Sequence, residues 1–191
     1  LSTPQKEDFE VITEEIRHID TIVENFLEFS RPPKLKMQGI SPSDVVDLTL
    51  QLLQHRLKSY DVQIKLIRQR PLPNIPADPE QLKEVLVNII VNACEAMELG
   101  GEITIHEEEG FAEPLERVVV IRLSDNGPGI PESIRDRVLQ PFFTTKDEGT
   151  GLGLSIAARI IEEHGGWLDL ASEEGKGATF VITIPVQGGA P

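Results

Sequence analysis

The chain has 191 residues, enough for one well-packed domain with an appendage, and its composition is that of an ordinary globular protein. Its formal net charge is -14, which disfavours nucleic acids and anionic membrane surfaces as partners because both are polyanions. No apolar run is as long as a membrane span, and the first residues lack the pattern of a signal peptide. The single cysteine, Cys94, excludes an internal disulfide and lies among apolar residues, as a core side chain does.

The first predicted element is a long helix with an apolar seam. The seam residues are spaced alternately three and four apart: Phe9, Ile12, Ile16, Ile19, Val23, Phe26 and Ser30. Pro32-Pro33 ends this helix. Because one helix cannot bury such a seam alone, we expect a helical bundle whose other members lie outside the chain. The chain begins at Leu1 rather than Met, so we expect it to be part of a longer protein.

From about Leu35 the pattern becomes that of a compact α/β domain. A short strand precedes a helix that starts at Ser41-Pro42-Ser43-Asp44, with Ser41 as its cap. Further strands are predicted at 62–67, 103–107, 118–123, 167–171 and 179–184, and helices at 78–97 and 154–164. Loops are predicted at 71–76 and, rich in acidic residues, at 107–116. This order predicts one sheet covered by helices on one face.

Two glycine-rich runs are the most informative feature. Asp125-Asn126-Gly127-Pro128-Gly129-Ile130 follows a predicted strand, so Asp125 can face a pocket, and its glycines allow a tight turn and close approach to a flat ring. Gly149-Thr150-Gly151-Leu152-Gly153-Leu154 opens a predicted helix, where unpaired N–H groups and the helix dipole favour an anion. Either run alone also suits an ordinary turn or helix cap. Together, in this order, they predict a site for a nucleotide polyphosphate.

The helix at 78–97 adds two carboxamides to this prediction. Asn88 and Asn92 are four residues apart and therefore share one face of the helix. One interpretation is that both side chains cap neighbouring loops. The functional interpretation is a Mg²⁺ site, since Mg²⁺ prefers oxygen ligands, takes few from protein and completes its shell with phosphates and water.

These motifs resemble the catalytic part of bacterial sensor histidine kinases of the nitrogen-regulatory type. The matching stretches cover nearly the whole chain: Asp78 to Ala96 as the N box, Asp125 to Ile130 and Gly149 to Leu154 as glycine boxes, Pro141-Phe142-Phe143-Thr144-Thr145-Lys146 as the F box, and Gly175-Lys176-Gly177-Ala178-Thr179-Phe180 as the last box. The resemblance implies the ATP-binding fold shared with gyrase, the ninety-kilodalton heat-shock chaperone and MutL. The expected class is α+β, a two-layer sandwich with a mixed, mostly antiparallel sheet, preceded by one long bundle helix.

The resemblance also implies a division of the chain and a role for each matching position. Residues 1–33 would be the second helix of a dimerisation hairpin, 34–187 the ATP-binding domain and 188–191 a tail. Asp125 would accept a hydrogen bond from the adenine amino group, Asn92 would bind Mg²⁺ with Asn88 and Glu84 beside it, and Thr179 would support the adenine end. The other positions expected to contact ATP are Gly127, Gly129, Ile130, Gly149, Thr150, Gly151, Leu152, Gly153 and Leu154, with Gly151 and Gly153 on the phosphates.

The segment between the two glycine boxes corresponds to a lid in this family. Lys146, beside Thr144 and Thr145, is the expected cation for the terminal phosphates; the alternative is a solvated loop lysine. Phe142 and Phe143 are expected to anchor this segment, a role that overlaps with simple core packing.

Asn88 distinguishes a kinase from an ATPase, because the related ATPases carry at this position a Glu that activates water. A carboxamide cannot act as a general base, so the γ-phosphoryl group would pass to an external nucleophile. Glu84, one turn earlier, could still orient water for slow hydrolysis. The alternatives are a serine kinase of the anti-sigma class, a conformational ATPase, and a pseudo-kinase that only binds nucleotide.

The family's phosphoacceptor motif, a His followed by an acidic residue and Pro, is absent. The histidines are His18, His55, His106 and His164, and none has those followers or a metal-site spacing. We interpret His18 as a flank residue of the bundle helix, with phosphorylation as the alternative. The resemblance implies further partners: a phosphoacceptor hairpin of the same protein, a homodimer, and a response regulator receiver domain. It also implies a cytoplasmic location, with a parent protein that is free or membrane-anchored.

Overall fold

The computed structural model of the chain describes residues 34–68, 70–113, 116–146 and 149–187, together with five N-terminal positions. Those five, Ile12, Thr13, Ile16, Ile19 and Val23, are helical. The four apolar ones are predicted seam positions, and each is between 48% and 56% exposed. The other seam residues, the helix end at Pro32-Pro33, His18 and the tail at 188–191 lie outside the described residues. No helix in the described part of the chain is long and apolar enough to cross a membrane.

The domain between residues 34 and 187 contains seven described strands and four described helices. Its strands are β1 (Gln38–Ile40), β2 (Val62–Arg68), β3 (Ile75–Ala77), β4 (Gly101–Ala112), β5 (Glu116–Asp125), β6 (Trp167–Ser172) and β7 (Ala178–Pro185). Its helices are α1 (Pro42–Ser59), α2 (Pro79–Ala96), α3 (Glu132–Arg135) and α4 (Gly153–Glu163). The strands and helices predicted from sequence between residues 34 and 187 are all present, whereas the short helix α3 was not predicted.

A five-stranded mixed sheet with the order β2-β4-β5-β7-β6 forms one layer. The β2–β4 pair is parallel and the other pairs are antiparallel, as expected. Alternate strand residues such as Ile105, Ile121 and Ile182 are fully buried, and they form one core with Leu86 and Ile160 of the helices. Because side chains alternate across a strand, this pattern puts the helices on one face of the sheet.

Two predictions about loops and strand pairing were wrong. The predicted loop 71–76 ends in the first two residues of β3, which pairs with β1 in a separate two-stranded ladder, so the domain has two sheets rather than one. The acidic segment 107–116 is largely a β-hairpin, in which β4 extends to Ala112 and pairs with Glu116. Its negative charges are compensated by cations: Arg122 pairs with Glu108, and the Nε of Arg117 donates to Glu109 at 2.7 Å. Cross-strand ion pairs of this kind stabilise a sheet despite a poor strand composition.

Capping groups fix the starts of the two long helices, and the cap of α1 is the one that the sequence predicts. Ser41 Oγ accepts from the backbone N–H of Asp44 at 3.3 Å, at the start of α1. Asp78 Oδ1 accepts from the N–H groups of Glu80 and Gln81 at the start of α2, and its Oδ2 accepts from the N–H of Lys36 at 2.7 Å. Each cap satisfies amides that a helix leaves unpaired.

His164 ties the end of α4 to the start of α2. Its Nε2 accepts from the backbone N–H of Asp78 at 2.9 Å, and its Nδ1 lies 2.7 Å from the carbonyl oxygen of Ile160. Both ring nitrogens of this buried histidine are therefore engaged in the fold. Cys94 is likewise a core residue, as predicted, and burial raises the pKa of its thiol.

Candidate functional site

A cavity of about 730 Å³ lies between α2, the two glycine-rich runs and the start of β7. This volume is within the range of small-molecule sites. The predicted site residues that line it are Glu84, Asn88, Asn92, Asp125, Gly129, Ile130, Thr144, Thr145, Lys146, Gly149, Thr150, Gly151, Gly153 and Leu154. Gly127, Phe142, Leu152 and Thr179 were also predicted but are not among its lining residues. The structure thus brings most of the predicted site together around one opening.

Asp125, the last residue of β5, forms one end of the cavity. Its Oδ1 accepts from the backbone N–H of Gly127 at 2.9 Å and from that of Ala178 at 3.2 Å. These two bonds fix the plane of the carboxyl group and use one of its oxygens. The second oxygen, Oδ2, can accept a hydrogen bond from a ligand.

Two glycines bring the first and last glycine runs into contact behind Asp125. Gly129 has φ +71°, and a Cβ on it would lie 2.1 Å from the carbonyl oxygen of Glu173. Gly177 has φ +86°, and its Cβ would lie 2.0 Å from the carbonyl oxygen of Asp125. No side chain fits at either place, so both positions require glycine for conformation and for space.

The predicted residues away from the cavity support this end of it indirectly. Gly127 supplies the amide that fixes Asp125, and a Cβ on it would contact Met97 Cγ at 3.1 Å. Thr179 donates its hydroxyl to Ser124 Oγ at 2.9 Å, across the β5–β7 pair. Ala178, rather than Thr179, lines the cavity.

Helix α2 forms one wall of the cavity with a row of polar side chains. Glu84, Asn88, Asn92 and Glu95 are spaced four, four and three apart, so they lie along one helix face, and all four line the cavity. Asn88 Oδ1 would be 3.2 Å from a Cβ on Gly153, so α2 meets the first residue of α4 there. The carboxamides are half-buried and face the cavity.

The F-box loop, residues 141–146, lies across the other side. The Nζ of Lys146 donates to Asn92 Oδ1 at 3.1 Å and to Glu95 Oε2 at 2.6 Å. Glu95 also accepts from Arg56 of α1 at 3.0 Å. The loop is held by local contacts, since the backbone N–H of Lys146 donates to Thr144 Oγ1 at 3.1 Å. Lys146 is thus paired with the polar row of α2.

The second glycine run packs under the F-box loop and leads into α4. Gly151 has φ +66°, and its Cβ would lie 2.5 Å from the carbonyl carbon of Phe142. Phe142 itself has φ 65°, a left-handed value that costs energy in a residue with a side chain. Phe143 lines the cavity, and the guanidinium carbon of Arg137 lies over its ring, 4.5 Å from the ring centroid.

The N-terminus of α4 points amide groups at the cavity. Gly153 and Leu154 line the cavity, and the N-cap residue, Leu152, makes no side-chain capping bond. Leu152 itself is buried in the core. Uncapped first-turn amides at the positive end of an eleven-residue helix form an anion site.

Glu95 and Glu98 also line the cavity, although neither residue was predicted as part of the site. The helical spacing that linked Asn88 and Asn92 extends to Glu95, so this signal was available in the sequence. Phe180 and Ala178 line the cavity because β7 begins beside Asp125 in the sheet, and this pairing of distant segments carries no local sequence signal.

The cavity suits Mg²⁺ bound through carboxamide oxygen and phosphate. Asn92 Oδ1 already accepts from a cation, the ammonium group of Lys146. Among the described residues, no group of three or more His, Cys, Asp or Glu side chains could hold a metal ion. Oxygen donors with few protein ligands are the set that Mg²⁺ takes when phosphates complete its shell.

Curated relatives are similar over most of this chain. The chain is 36% identical over 177 residues to the sensor histidine kinase ZraS of Escherichia coli K12, covering 93% of this chain and 37% of ZraS. It is 38% identical over 182 residues to sporulation kinase E of Bacillus subtilis, covering 95% of this chain and 24% of that kinase. The chain therefore spans only 24% to 37% of the length of these two relatives.

Solved structures share the fold. The catalytic domain of histidine kinase ThkA matches with a TM-score of 0.69 and 29% identity, over 80% of this chain and 97% of that domain. ThkA in complex with the response regulator TrrA matches with a TM-score of 0.78 and 28% identity, over 97% of this chain and 52% of that one. Full-length ShkA in complex with AMPPNP gives a TM-score of 0.82 and 25% identity, over 100% of this chain and 41% of that one.

A family model also matches the domain that carries the cavity. Residues 77–188 match the model described as histidine kinase-, DNA gyrase B- and HSP90-like ATPase. The match includes the polar row of α2, Asp125, both glycine runs and β7. The chain therefore belongs to the family of histidine kinase-, DNA gyrase B- and HSP90-like ATPases.

Proposed function

We propose that this chain is the ATP-binding donor core of a sensor histidine kinase, which passes the γ-phosphoryl group of ATP to a histidine on a hairpin outside the chain. The observation that carries the proposal is the layout of the cavity. A carboxylate held by two backbone amides, the Asn92 carboxamide and the uncapped start of α4 line the same cavity.

Asp125 would recognise the adenine ring. Its Oδ2 would accept from the exocyclic amino group, because Oδ1 is occupied by the amides of Gly127 and Ala178. Gly129 and Ile130 would bring backbone close to the ring, with Thr179 supporting Ser124 behind it. Gly127 would act through the orientation of Asp125.

The phosphate end would be held by amides and one cation. Gly149, Thr150, Gly151, Gly153 and Leu154 line this end, and Leu152 anchors the run in the core. Lys146, with Thr144 and Thr145 beside it, would neutralise the terminal phosphates. Phe143 would fix the loop that carries them, whereas the Phe142 side chain is 58% exposed, so the expected core packing of Phe142 was wrong.

Mg²⁺ bound through Asn92 would neutralise charge on the phosphates. Asn88 would position groups between α2 and α4, where it contacts Gly153. Because a carboxamide cannot accept a proton from water as a general base, Asn88 would protect the γ-phosphoryl group from hydrolysis. Glu84 lies one turn away and could orient water only weakly.

The partners follow from this role. The complex of ThkA with TrrA supports a response regulator receiver domain as the final acceptor. The exposed seam at Ile12, Ile16, Ile19 and Val23 supports a hairpin bundle and a homodimer in the longer protein. A donor that uses the cellular ATP pool would act in the cytoplasm. Nucleic acids are poor partners for a chain of net charge -14.

The proposal is tested by incubating the chain with Mg²⁺ and γ-labelled ATP, with and without a separately supplied phosphoacceptor hairpin. We expect label on the hairpin that is labile in acid and stable in base, the behaviour of phosphohistidine. Acid-stable label would favour the serine kinase, and free phosphate alone would favour the ATPase. Asn92→Ala should abolish transfer, whereas Asn74→Ala, which changes an exposed carboxamide in the loop before β3, should not.

A further inference from the structure

The carboxylate of Glu95 holds two cations from different parts of the domain. Its Oε1 lies 3.0 Å from Arg56 Nη2 on α1, and its Oε2 lies 2.6 Å from Lys146 Nζ on the F-box loop. The Glu95 side chain is 29% exposed, and those of Arg56 and Lys146 are 48% and 41% exposed. One acidic side chain therefore links α1, α2 and the loop that closes over the cavity.

Lys146 also donates a hydrogen bond to Asn92 Oδ1, the oxygen proposed to bind Mg²⁺. Lys146 Nζ lies 3.1 Å from Asn92 Oδ1 while it is paired with Glu95. An ammonium group and a divalent cation repel each other when both lie close to a single carboxamide oxygen. Binding of Mg²⁺ at Asn92 therefore opposes the observed position of Lys146.

We propose that Glu95 is a positioning residue that competes with the terminal phosphates of Mg²⁺–ATP for Lys146, so that nucleotide binding draws Lys146 away from Glu95 and Asn92. This inference rests on the proposed function and adds a competition within the site. Glu95 is not a catalytic residue, because it acts through Lys146.

The expected effect is moderate because the pair is partly exposed. Exposed ion pairs contribute about 0.2–1 kcal/mol, which corresponds to a change of up to about fivefold in an equilibrium constant. Removing the Glu95 charge should therefore strengthen nucleotide binding by about two- to fivefold, since less energy is needed to release Lys146.

A substitution of Arg56 is the control, because it should change the affinity for nucleotide in the opposite direction. Arg56 shares the Glu95 carboxylate with Lys146 and thereby weakens the attraction that each cation feels. Arg56→Gln should leave Glu95 to Lys146 alone and weaken nucleotide binding, whereas Glu95→Gln should strengthen it. If the Arg56–Glu95 pair had a purely structural role, both substitutions would change the affinity for nucleotide in the same direction.

The pairing itself is tested without nucleotide by limited proteolysis. Trypsin must bind the free ammonium group of a lysine, so cleavage after Lys146 should be faster in Glu95→Gln and slower in Arg56→Gln than in the original chain. Cleavage after Lys176, which is 70% exposed, serves as the internal reference and should not change. Equal cleavage after Lys146 in all three proteins would overturn the pairing.

The competition is tested by calorimetry with a non-hydrolysable ATP analogue and Mg²⁺, for Glu95→Gln in the original chain and in Lys146→Met. We expect the gain in affinity only when Lys146 is present. An equal gain in Lys146→Met would show that Glu95 acts by long-range repulsion, and would overturn the proposal. Absence of binding by the original chain would instead overturn the proposed function and the competition together, with proteolysis still deciding on the pairing.

Discussion

Asp125 illustrates how one side chain is prepared for a ligand by its own backbone. Its Oδ1 accepts from Gly127 and Ala178, on two different chain segments, so the direction of Oδ2 is set before any ligand arrives. Such preorganisation lowers the cost of binding, because the side chain loses little freedom. The site also needs an ionised carboxylate rather than a carboxamide, because both carboxylate oxygens accept hydrogen bonds and neither donates one.

Asp125→Asn should therefore weaken binding of ATP about tenfold or more. The carboxamide can still accept from the two amides, but its NH₂ group then faces the adenine amino group and donates where acceptance is needed. Hydrogen bonds to charged groups contribute about 1.5–3 kcal/mol, which corresponds to roughly ten- to a hundredfold in affinity. Calorimetry with ATP measures the change.

Asp169→Asn, on an exposed position of β6, is the matched control and should bind ATP as the original chain does. Unchanged affinity in Asp125→Asn would contradict the assignment of the adenine end. Thermal unfolding of both variants establishes that the fold is intact.

At the scale of elements, the turn between β6 and β7 holds Asp125 in place through a close backbone contact. Gly175 and Gly177 both have a left-handed φ, +80° and +86°. A Cβ on Gly175 would meet nothing within 4 Å, whereas one on Gly177 would lie 2.0 Å from the Asp125 carbonyl oxygen. Both positions therefore need a left-handed backbone conformation, but only Gly177 lacks room for a Cβ atom.

This difference gives a matched pair of variants. Gly175→Ala and Gly177→Ala should each lose about 1–2 kcal/mol of stability from the left-handed conformation. Only Gly177→Ala should also displace Asp125 and weaken ATP binding, because its clash is with backbone. Urea unfolding and ATP titration measure the two effects separately. Equal ATP affinity in the two variants would contradict this role of the turn.

The cap of α2 predicts a pH-dependent contribution to stability. Burial alone would raise the pKa of Asp78, but the backbone N–H groups of Lys36, Gln81 and Glu80 outweigh burial and hold the pKa of this carboxyl below its ordinary value. A carboxyl with a lowered folded-state pKa stabilises the fold above its unfolded pKa of about 3.9, and this contribution is lost as the pH falls through the folded value.

Asp78→Ala should thus lower the free energy of unfolding by about 1–2 kcal/mol near pH 7, as expected of an N-cap. The difference from the original chain should shrink as the pH falls below about 4. Urea unfolding between pH 7 and pH 3 measures it, with Asp169→Ala as a surface control. A difference that stays constant over this range would show that the charge of Asp78 is not involved.

Local patterns explain which elements were predictable. Helix α1 was identified because its cap, Ser41, and Pro42 at its first turn are local start signals. The extended hairpin of β4 and β5 was missed because the charges at Glu108 and Glu109 are compensated by arginines more than seven residues away along the chain. Helix α3, with four residues, has too short a pattern to detect.

The site shows the same division. Both glycine runs and the carboxamides of α2 predicted a nucleotide site, because each is a short sequence pattern whose effect on the local backbone or helix face is known. The sequence did not reveal that Lys146 pairs with Glu95 and Asn92, since this contact joins the F-box loop to α2 across more than fifty residues. Nor did it show that Ala178 rather than Thr179 faces the cavity, which depends on strand register.

At the scale of the whole molecule, a charge network around one buried carboxylate connects the two layers. Glu107 on β4 has a fully buried side chain, and it accepts from Arg68 Nε at 2.9 Å and from the hydroxyl of Ser43 on α1. Arg68 also pairs with Asp47 at 2.8 Å. The hydrogen bond to Glu107 is the main cause that raises the pKa of Arg68 above its ordinary value, against the opposing effect of burial.

Arg68→Met should destabilise the domain by about 3 kcal/mol, because breaking a buried pair leaves Glu107 charged without its cation. The double variant Arg68→Met with Glu107→Met should recover most of the loss, since apolar replacements of similar volume are often neutral. Urea unfolding of the single and double variants measures both. A double variant less stable than Arg68→Met would show that the charge pair itself is the source of stability.

The central claim is that this cavity donates a phosphoryl group to a histidine and withholds it from water. The most direct measurement follows γ-labelled ATP with Mg²⁺ in the original chain and in Asn88→Glu, each with and without the phosphoacceptor hairpin. We predict that the original chain labels the hairpin and releases little free phosphate without it, while Asn88→Glu releases free phosphate faster because its carboxylate can activate water. Release of free phosphate by the original chain at the same rate with and without the hairpin, and no label on the hairpin, would contradict the account.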